Sequence, residues 1–213
     1  MGLMRIECAD REAWLGARQR QGIGGSEAAA AIGMSPWMTP TQLWRLKIGA
    51  DKPKDLSGNA AVAQGVRMEP VLRDFFAATH PEYQIEHNPY DILYQSDRPW
   101  LFATLDGELM DEYGRDGILE IKTATPGAKW KEWSDGNMPQ NYYIQVLHQL
   151  LSTGYAFVCL FACLYSQSGD MTLKTYEIER EDVEDDLAWL LEKESEFWGF
   201  VKRGVMPPTP LSL

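Results

Sequence analysis

An almost wholly apolar segment, YAFVCLFACLY at residues 155–165, constrains the fold more than any other feature of the sequence. A strand with one solvated face alternates apolar and polar residues, whereas a strand covered on both faces can be apolar throughout. Turn-like residues follow it, and a second strand pattern, MTLKTYEIE, occupies residues 171–179. The sequence therefore predicts a central strand in a sheet that has helices packed on both faces.

Helical spacing of apolar residues dominates the first part of the chain, from residue 9 to about residue 79. Residues 39–42, TPTQ, combine a threonine N-cap, a proline in the first turn and a glutamine that completes a capping box. Residues 60–80 also show helical spacing, but Pro70 lies inside this segment. Because proline lacks a backbone N–H, we expect this helix to kink or start again just after Glu69.

Strand and helix patterns alternate in the second part of the chain. Residues 90–123 contain three strand-like segments, YDILY, WLFATLDGELM and GILEIKT, which predict a three-stranded meander. Two more helices are predicted, one from Pro139 to a stop at Gly154 and one over about 181–203. Together these elements predict an α/β fold with a mixed central β-sheet flanked by helices.

The length and composition fit one domain, which we expect to span residues 1–206 and to be followed by a flexible tail at 207–213. No run approaches the roughly 20 apolar residues of a membrane helix, and the charged first residues lack the apolar region of a signal peptide. Three cysteines without a C-x-x-C pair suggest neither a disulfide framework nor a zinc site. We therefore expect a cytoplasmic protein without a membrane anchor.

The formal net charge of −11 argues against binding to nucleic acid, where clustered basic residues usually supply most of the affinity. The charges are unevenly distributed, however. Residues 176–203 hold ten acidic and four basic residues, whereas residues 1–50 hold four acidic and six basic ones. Since the acidic excess is concentrated near the C-terminus, it does not exclude a nucleic-acid site elsewhere in the protein.

Two carboxylates and a lysine form the most informative constellation. In GILEIKT, Glu120 and Lys122 are two residues apart and so point to the same face of a strand. Asp106 precedes Glu120 by fourteen residues, a spacing that suits two neighbouring strands. Adjacent carboxylates repel each other unless a cation offsets their charge, and Mg²⁺ or Mn²⁺ prefers such oxygen ligands. Beside them, Lys122 could orient or deprotonate a water for metal-assisted hydrolysis of a phosphodiester.

Other interpretations of these residues stay open at this point. An E-x-K pair on a strand is often only a solvated ion pair. A pair of carboxylates also serves glycosidases, but the lysine beside Glu120 favours the charged carboxylate, which is unsuited to a general acid. On the helix after Pro139, the side chains of Tyr142, Gln145 and Gln149 form a polar stripe that could face either a cleft or solvent.

Four blocks of the sequence resemble the family of phage lambda exonuclease and YqaJ-type viral recombinases, within the PD-(D/E)xK nuclease superfamily. The blocks occur in the family's order and are WLGARQRQGIGGSEA at 14–28 with SPW and LW soon after it, GVRMEP at 65–70, LDG at 105–107 with LEIK at 119–122, and YYIQVLHQLLSTG at 142–154. The resemblance covers about two thirds of the chain. It implies a restriction-endonuclease-like core with extra N-terminal helices.

The resemblance also implies roles for single residues at a metal site. Asp106 and Glu120 match the carboxylates that bind the metal, with the backbone carbonyl of Ile121 as a further ligand. Lys122 matches the catalytic lysine. Glu69 matches the helical acid that completes the metal site, either directly or through water.

Further matches concern the contacts with DNA. Gln145 belongs to the family's active site, and Tyr142 lies on the same polar stripe. The GIGGSE segment, in which we expect Ser26 to cap a helix, resembles the region that holds the 5′-phosphate together with an upstream arginine. Arg18 and Arg20 both lie near the matching position, and the spacing does not choose between them.

The activity implied by the resemblance is a Mg²⁺-dependent 5′-to-3′ exodeoxyribonuclease, with Mn²⁺ able to substitute. It digests one strand at double-stranded DNA ends to mononucleotides and leaves a 3′ overhang for phage-type recombination. The implied assembly is a toroidal homotrimer with a single-strand annealing protein as partner, in the host cytoplasm if a phage or prophage encodes the chain. The alternative is a non-catalytic DNA-binding or inhibitor module of the same fold.

Overall fold

The computed structural model describes residues 2–56 and 58–208, and the elements run in chain order as follows. The helices are α1 (Arg11–Gln21), α2 (Gly25–Ala31), α3 (Pro40–Lys47), α4 (Ala60–Thr79), α5 (Gln140–Thr153) and α6 (Glu184–Arg203). The strands are β1 (Leu3–Glu7), β2 (Ile23–Gly24), β3 (Gln84–Glu86), β4 (Asp91–Gln95), β5 (Leu101–Ala103), β6 (Gly107–Met110), β7 (Asp116–Ala124), β8 (Phe157–Tyr165) and β9 (Met171–Glu179). Short 3₁₀ segments cover Gly127–Trp133 and Arg180–Val183.

Two mixed sheets form the frame of the molecule. The larger has the order β3-β6-β7-β8-β9, in which β7 and β8 are parallel and the other pairs antiparallel. The smaller has the order β1-β4-β5-β2, and only its β2–β5 pair is parallel. Helices flank these sheets, so the predicted α/β fold with a mixed central sheet is confirmed.

The apolar strand β8 lies inside the larger sheet, as its composition predicts. Alternate residues of β7 and β8 enter two separate cores. On one face Ile118, Val158 and Leu160 pack with the buried side of α5 and α6. On the other face lie Leu119, Ile121, Phe157, Cys159 and Phe161, covered by Leu72 and Phe76 of α4. Both faces of the strand pair are therefore covered by apolar cores. Glu120 and Lys122 lie on the same face as Ile118 and line the cavity described below.

The predicted three-stranded meander is wrong. The segment WLFATLDGELM forms two strands, since β5 joins the smaller sheet and β6 joins the larger one. The chain changes sheets at residues 104–106, where the carboxylate of Asp106 accepts a hydrogen bond from the N–H of Ile121 over 2.7 Å. A side chain thus takes the place of a backbone ladder partner and ends the β6–β7 pairing. The spacing of apolar residues cannot reveal this change of sheet, because the residues of β5 and of β6 both follow the period of a strand.

Helix α4 is continuous through Pro70, so the expected new start after Glu69 does not occur. Proline leaves one backbone carbonyl of the preceding turn, that of Val66, without its helical donor. Both Pro70 and Val66 lie on the exposed side of the helix, where water can satisfy this carbonyl. The capping box at residues 39–42 is confirmed, and α5 ends at Gly154 in the left-handed conformation.

Some features lie outside these expectations. Strands β1 and β2 are short additions at the edges of the smaller sheet that strand periodicity did not indicate. Of the predicted tail, residues 209–213 lie outside the described part of the chain, and residues 207–208 belong to no helix or strand. Within the described ranges, none of the helices has the length and apolar character needed to cross a membrane.

Candidate active site

A cavity of about 500 Å³ opens beside the start of β6, between α1, α2, α4 and α5. It brings together eight of the ten predicted site residues, from segments that are far apart in the sequence. Those that line it are Arg18, Ser26, Glu69, Asp106, Glu120, Ile121, Lys122 and Gln145. The ring of Tyr142 lies next to them, 5.3 Å from the Lys122 Nζ atom. The side chain of Arg20 lies outside the described residues.

Asp106 stands where the chain passes between the two sheets, immediately before β6. Its Oδ2 atom accepts the hydrogen bond from the Ile121 N–H, which holds the carboxylate against the middle of β7. Burial raises the pKa of Asp106 well above its ordinary value, and the neighbouring charge of Glu120 adds to the effect. A bound cation would relieve both causes, so this position favours a cation in front of the carboxylate.

Glu120 is 2% exposed and is contacted by three donors. Its Oε1 atom lies 2.5 Å from Lys122 Nζ and accepts a hydrogen bond from Gln145 Nε2, also over 2.5 Å. Its Oε2 atom accepts one from Gln149 Nε2 over 2.5 Å. The predicted sharing of one face by Glu120 and Lys122 is therefore confirmed. The role of Gln149 was not predicted, although its spacing of four residues from Gln145 placed both amides on one stripe.

The charge of Lys122 is set by opposing effects. Burial by itself lowers the pKa of this lysine, but the charges of Glu120 and Asp106 outweigh burial and raise the pKa above its ordinary value. The side chain therefore carries an ammonium at neutral pH. In this form Lys122 donates hydrogen bonds and stabilises negative charge, and it does not accept a proton.

Glu69 lies at the wall of the cavity on α4 and is paired with an arginine that sequence reasoning missed. Arg73 Nη2 lies 2.6 Å from Glu69 Oε1, and Arg73 Nε donates to the backbone carbonyl of Asp106 over 2.6 Å. Arg73 thereby ties α4 to the segment that carries Asp106. Burial raises the pKa of Glu69 despite the attraction of Arg73. The spacing of four residues between Glu69 and Arg73 was the available signal.

The donor atoms of the cavity fit a hard divalent cation. Among the described residues, no three Asp, Glu, His or Cys side chains come together as a complete ligand set. Asp106 and Glu120 supply two carboxylates, and Mg²⁺ commonly uses one or two, with waters and phosphates as its other ligands. In a strand the N–H and C=O of one residue point to the same edge. Since the Ile121 N–H faces Asp106, the carbonyl of Ile121 faces this edge too.

Arg18 and Ser26 meet where α1 passes into α2. Arg18 Nη2 donates to Ser26 Oγ over 3.5 Å, and the guanidinium carbon lies 4.4 Å from the ring centroid of Trp14. Burial lowers the pKa of Arg18, against the attraction of Glu27 and Glu120. An arginine this close to an aromatic face and to a hydroxyl is preorganised to meet an anion in the cavity.

The turn between α1 and α2 has a geometry that only glycine permits. Gly22 has a φ of 154°, and a Cβ atom there would overlap the backbone carbonyl of Trp100. That carbonyl accepts a hydrogen bond from the Ile23 N–H over 2.8 Å, which fastens the turn to the smaller sheet. The expected cap is wrong: Gly24 is the N-cap of α2, its N–H donates to Glu27, and Ser26 lies inside the first turn.

The sequence of this chain is similar to a known domain family and to a curated protein. The YqaJ-like viral recombinase domain matches residues 13–156. A protein of Bacillus subtilis named uncharacterized protein YqaJ is 30% identical over 188 residues, which is 88% of this chain and 55% of the relative. The chain thus spans about half the length of this curated relative.

Solved structures share the fold. An alkaline exonuclease (LHK-Exo) from Laribacter hongkongensis superposes with a TM-score of 0.69 at 19% identity, over 91% of this chain and 93% of that one. Its complex with dAMP gives a TM-score of 0.70 at 19% identity and the same coverage. A phage related exonuclease from Haemophilus somnus gives 0.50 at 12% identity, over 84% and 94% of the two chains. At these identities the likeness establishes the common fold.

Proposed function

Because the chain belongs to the family of YqaJ-like viral recombinase domains, we propose that it is a Mg²⁺-dependent exodeoxyribonuclease that acts on double-stranded DNA ends. It digests one strand from the 5′ end to mononucleotides and leaves a 3′ single-stranded overhang. The observation that carries the proposal is the meeting of Asp106, Glu120 and Lys122 in one cavity. Family membership and the fold shared with an alkaline exonuclease support a nuclease.

The cation would be held by Asp106, Glu120 and the carbonyl of Ile121, with Glu69 reaching it directly or through water. A bound Mg²⁺, or Mn²⁺ in its place, supplies Lewis acidity towards the phosphate and makes a water a better nucleophile. Arg73 contacts Oε1 of Glu69 over 2.6 Å, so Oε2 is the atom that could reach the cation, directly or through water.

Lys122 and the glutamine stripe prepare the same site for the reacting phosphate. As an ammonium, Lys122 orients the attacking water and stabilises the negative charge that develops on the phosphate. Gln145 keeps Oε1 of Glu120 in place beside it. Tyr142 closes this side of the site with its ring next to the lysine.

Arg18 and Ser26 are proposed to bind the 5′-phosphate at the DNA end by donating hydrogen bonds to its oxygens. Arg18 is supported for this role because it lines the cavity. The stacking of Arg18 on Trp14 restricts its rotamers before DNA binds, which reduces the entropy lost on binding. A fixed terminal phosphate would set the polarity of digestion.

We propose a toroidal trimer that encircles DNA, and a single-strand annealing protein that receives the 3′ overhang in the cytoplasm of the host cell. The acidic residues 176–203 would then lie on the outer surface of the ring, with the basic residues of the cavity towards the DNA. An acidic channel in the assembled oligomer would rule out this distribution.

The decisive experiment uses linear duplex DNA labelled at either its 5′ or its 3′ ends, with Mg²⁺ and with a chelator. The expected result is release of labelled mononucleotides from the 5′ end, only when Mg²⁺ is present. Release from the 3′ end first would overturn the polarity. Binding of DNA without digestion would support the non-catalytic module instead.

A further inference from the structure

Gln149 carries a buried amide beside the carboxylate of Glu120 and has no role in the proposed chemistry. It is 1% exposed and lies on α5, one turn beyond Gln145. Its Nε2 atom donates to Glu120 Oε2, whereas its own Oε1 atom is buried and has no hydrogen-bond partner among the described residues. A buried carbonyl oxygen without a donor destabilises the folded state. Packing alone would favour an apolar side chain at this position. The presence of an amide therefore points to a role for its N–H group, which donates to Glu120.

The orientation of this amide follows from its neighbour. If the amide were turned over, its oxygen would lie 2.5 Å from a carboxylate oxygen, and two acceptors at that distance repel each other. Both glutamine side chains lie close to Gly25, since a Cβ atom built on this glycine would be 3.4 Å from the Cγ atoms of Gln145 and Gln149. The two glutamine side chains are therefore packed against the backbone of α2, with both amide N–H groups towards Glu120.

The hydrogen bonds that Glu120 accepts from the described residues leave one of its acceptor positions free. A carboxylate has about four lone-pair positions, two on each oxygen. Lys122 and Gln145 occupy those of Oε1, and Gln149 occupies one of those of Oε2. The remaining position belongs to Oε2.

We propose that Gln149 is a positioning residue of the metal site, which holds Glu120 so that the carboxylate offers a cation only its Oε2 atom. This inference rests on the proposed function, because it assigns a role towards the divalent cation. Hydrogen bonds to a ligating carboxylate typically account for a 10- to 100-fold change in metal affinity, by fixing the orientation of the ligand. Without Gln149, the carboxylate of Glu120 can rotate away from the cation.

The test compares the Gln149→Met variant, which keeps the volume and loses the amide, with Ser152→Ala as matched control. Ser152 is buried on the same helix, and its hydroxyl donates to the backbone carbonyl of His148, away from Glu120. Binding of Mn²⁺ is measured by electron paramagnetic resonance of the free ion. We expect roughly a tenfold or greater loss of Mn²⁺ affinity in Gln149→Met and none in Ser152→Ala.

A second measurement separates positioning from a general structural effect. In steady-state digestion with Mg²⁺, Gln149→Met should lower kcat and leave the KM for DNA unchanged, since Gln149 is not proposed to touch DNA. If Gln149→Met does not fold, as judged by circular dichroism, Gln149→Asn takes its place, because it keeps the amide but is one methylene too short to reach Glu120.

The outcomes distinguish this inference from the proposed function. If the wild-type protein binds no Mn²⁺, the metal-dependent function itself fails. If the wild type binds Mn²⁺ and the Gln149 variant binds it equally well, the positioning role is wrong and the proposed function stands. Equal losses in the variant and in Ser152→Ala would also overturn the inference, because the effect would then belong to the helix.

Discussion

At the scale of single residues, the ammonium of Lys122 lies between a carboxylate and an aromatic ring. Its Nζ atom is 2.5 Å from Glu120 Oε1 and 5.3 Å from the ring centroid of Tyr142. Both contacts favour the positive charge, the first by Coulombic attraction and the second through the face of the ring. The lysine therefore presents a fixed positive charge to the cavity, where the phosphate is proposed to react.

Replacement of this charge is expected to stop the reaction without unfolding the protein. Lys122→Ala should reduce Mg²⁺-dependent digestion of duplex DNA by at least about a hundredfold, because orientation of the water and stabilisation of charge are both lost. Folding and DNA binding should persist, as judged by circular dichroism and fluorescence anisotropy. Lys129→Ala, at an exposed lysine outside the cavity, is the control. Wild-type turnover by Lys122→Ala would refute the role.

The choice between the two arginines is tested at the DNA end. Wild-type protein should digest 5′-phosphorylated ends faster than 5′-hydroxyl ends, and Arg18→Ala should lose this preference by slowing only on the phosphorylated substrate. A charged hydrogen bond contributes about 1.5–3 kcal/mol, which corresponds to roughly a 10- to 150-fold change in rate. Arg20→Ala is measured alongside. If Arg20→Ala loses the preference and Arg18→Ala keeps it, the assignment is reversed.

At the scale of elements, helix α5 serves the site with one face and anchors itself with another. On the anchoring side, His148 Nδ1 lies 2.7 Å from Glu194 Oε1 of α6, and Nε2 lies 3.0 Å from the backbone carbonyl of Phe102 in β5. Both ring nitrogens face acceptors, so the doubly protonated imidazolium satisfies both. Burial by itself lowers the pKa of His148, but Glu194 outweighs burial and raises it above the ordinary value.

The buried pair of His148 and Glu194 should contribute strongly to the free energy of unfolding. Glu194→Leu removes the partner of His148 and leaves a ring nitrogen buried without an acceptor or donor, and removal of one partner of a buried pair typically destabilises a protein by about 3–5 kcal/mol. Glu192→Ala, on the exposed side of the same helix, should change stability by less than about 0.5 kcal/mol. Urea unfolding near neutral pH measures both. Equal stability of the two variants would contradict the importance of the pair.

The pH dependence of stability has a definite sign. Because the pKa of His148 is raised on folding, the pair contributes its full stability below the unfolded value of about 6.5 and loses it as the pH rises through the folded value. The wild-type free energy of unfolding should therefore fall between mildly acidic and alkaline pH. In Glu194→Leu this part of the fall should be absent, and its persistence there would assign the titration to another group.

At the scale of the whole molecule, one arginine joins the two sheets. Arg5 of β1 contacts Asp91 of the smaller sheet over 2.5 Å and Glu108 of the larger sheet over 2.8 Å. Glu108 also accepts hydrogen bonds from Asn88 Nδ2 and Tyr155 Oη. The cavity lies between elements of both sheets, so this network keeps its two sides in register.

Net charge leads to a prediction for assembly. Each chain carries a formal charge of −11, so like-charged subunits of the proposed trimer repel one another until salt screens them. Sedimentation should show a species of three times 24.2 kDa whose population rises from about 0.05 to 0.5 M salt. DNA affinity should fall over the same range as counterion release becomes less favourable. A monomer at all salt concentrations would exclude the ring.

The sequence by itself determined the local elements and the central pair of the site. The boundaries of α3 and α5 follow from caps, and the apolar run of β8 required cover on both faces. Glu120 and Lys122 share a face because strands repeat every two residues. Each of these features depends on a few consecutive residues, so periodicity and capping chemistry are sufficient to define it.

Only the tertiary structure decided which distant groups meet. It divided one predicted strand between two sheets at Asp106 and placed Gln149 and Arg73 at the site. It also paired His148 of α5 with Glu194 of α6 inside the core, although the highly charged sequence of α6 gives no sign that one of its acidic residues is buried. The physical reason is that such contacts join residues up to 46 positions apart. They depend on how helices pack against sheets, and local spacing carries no information about that packing.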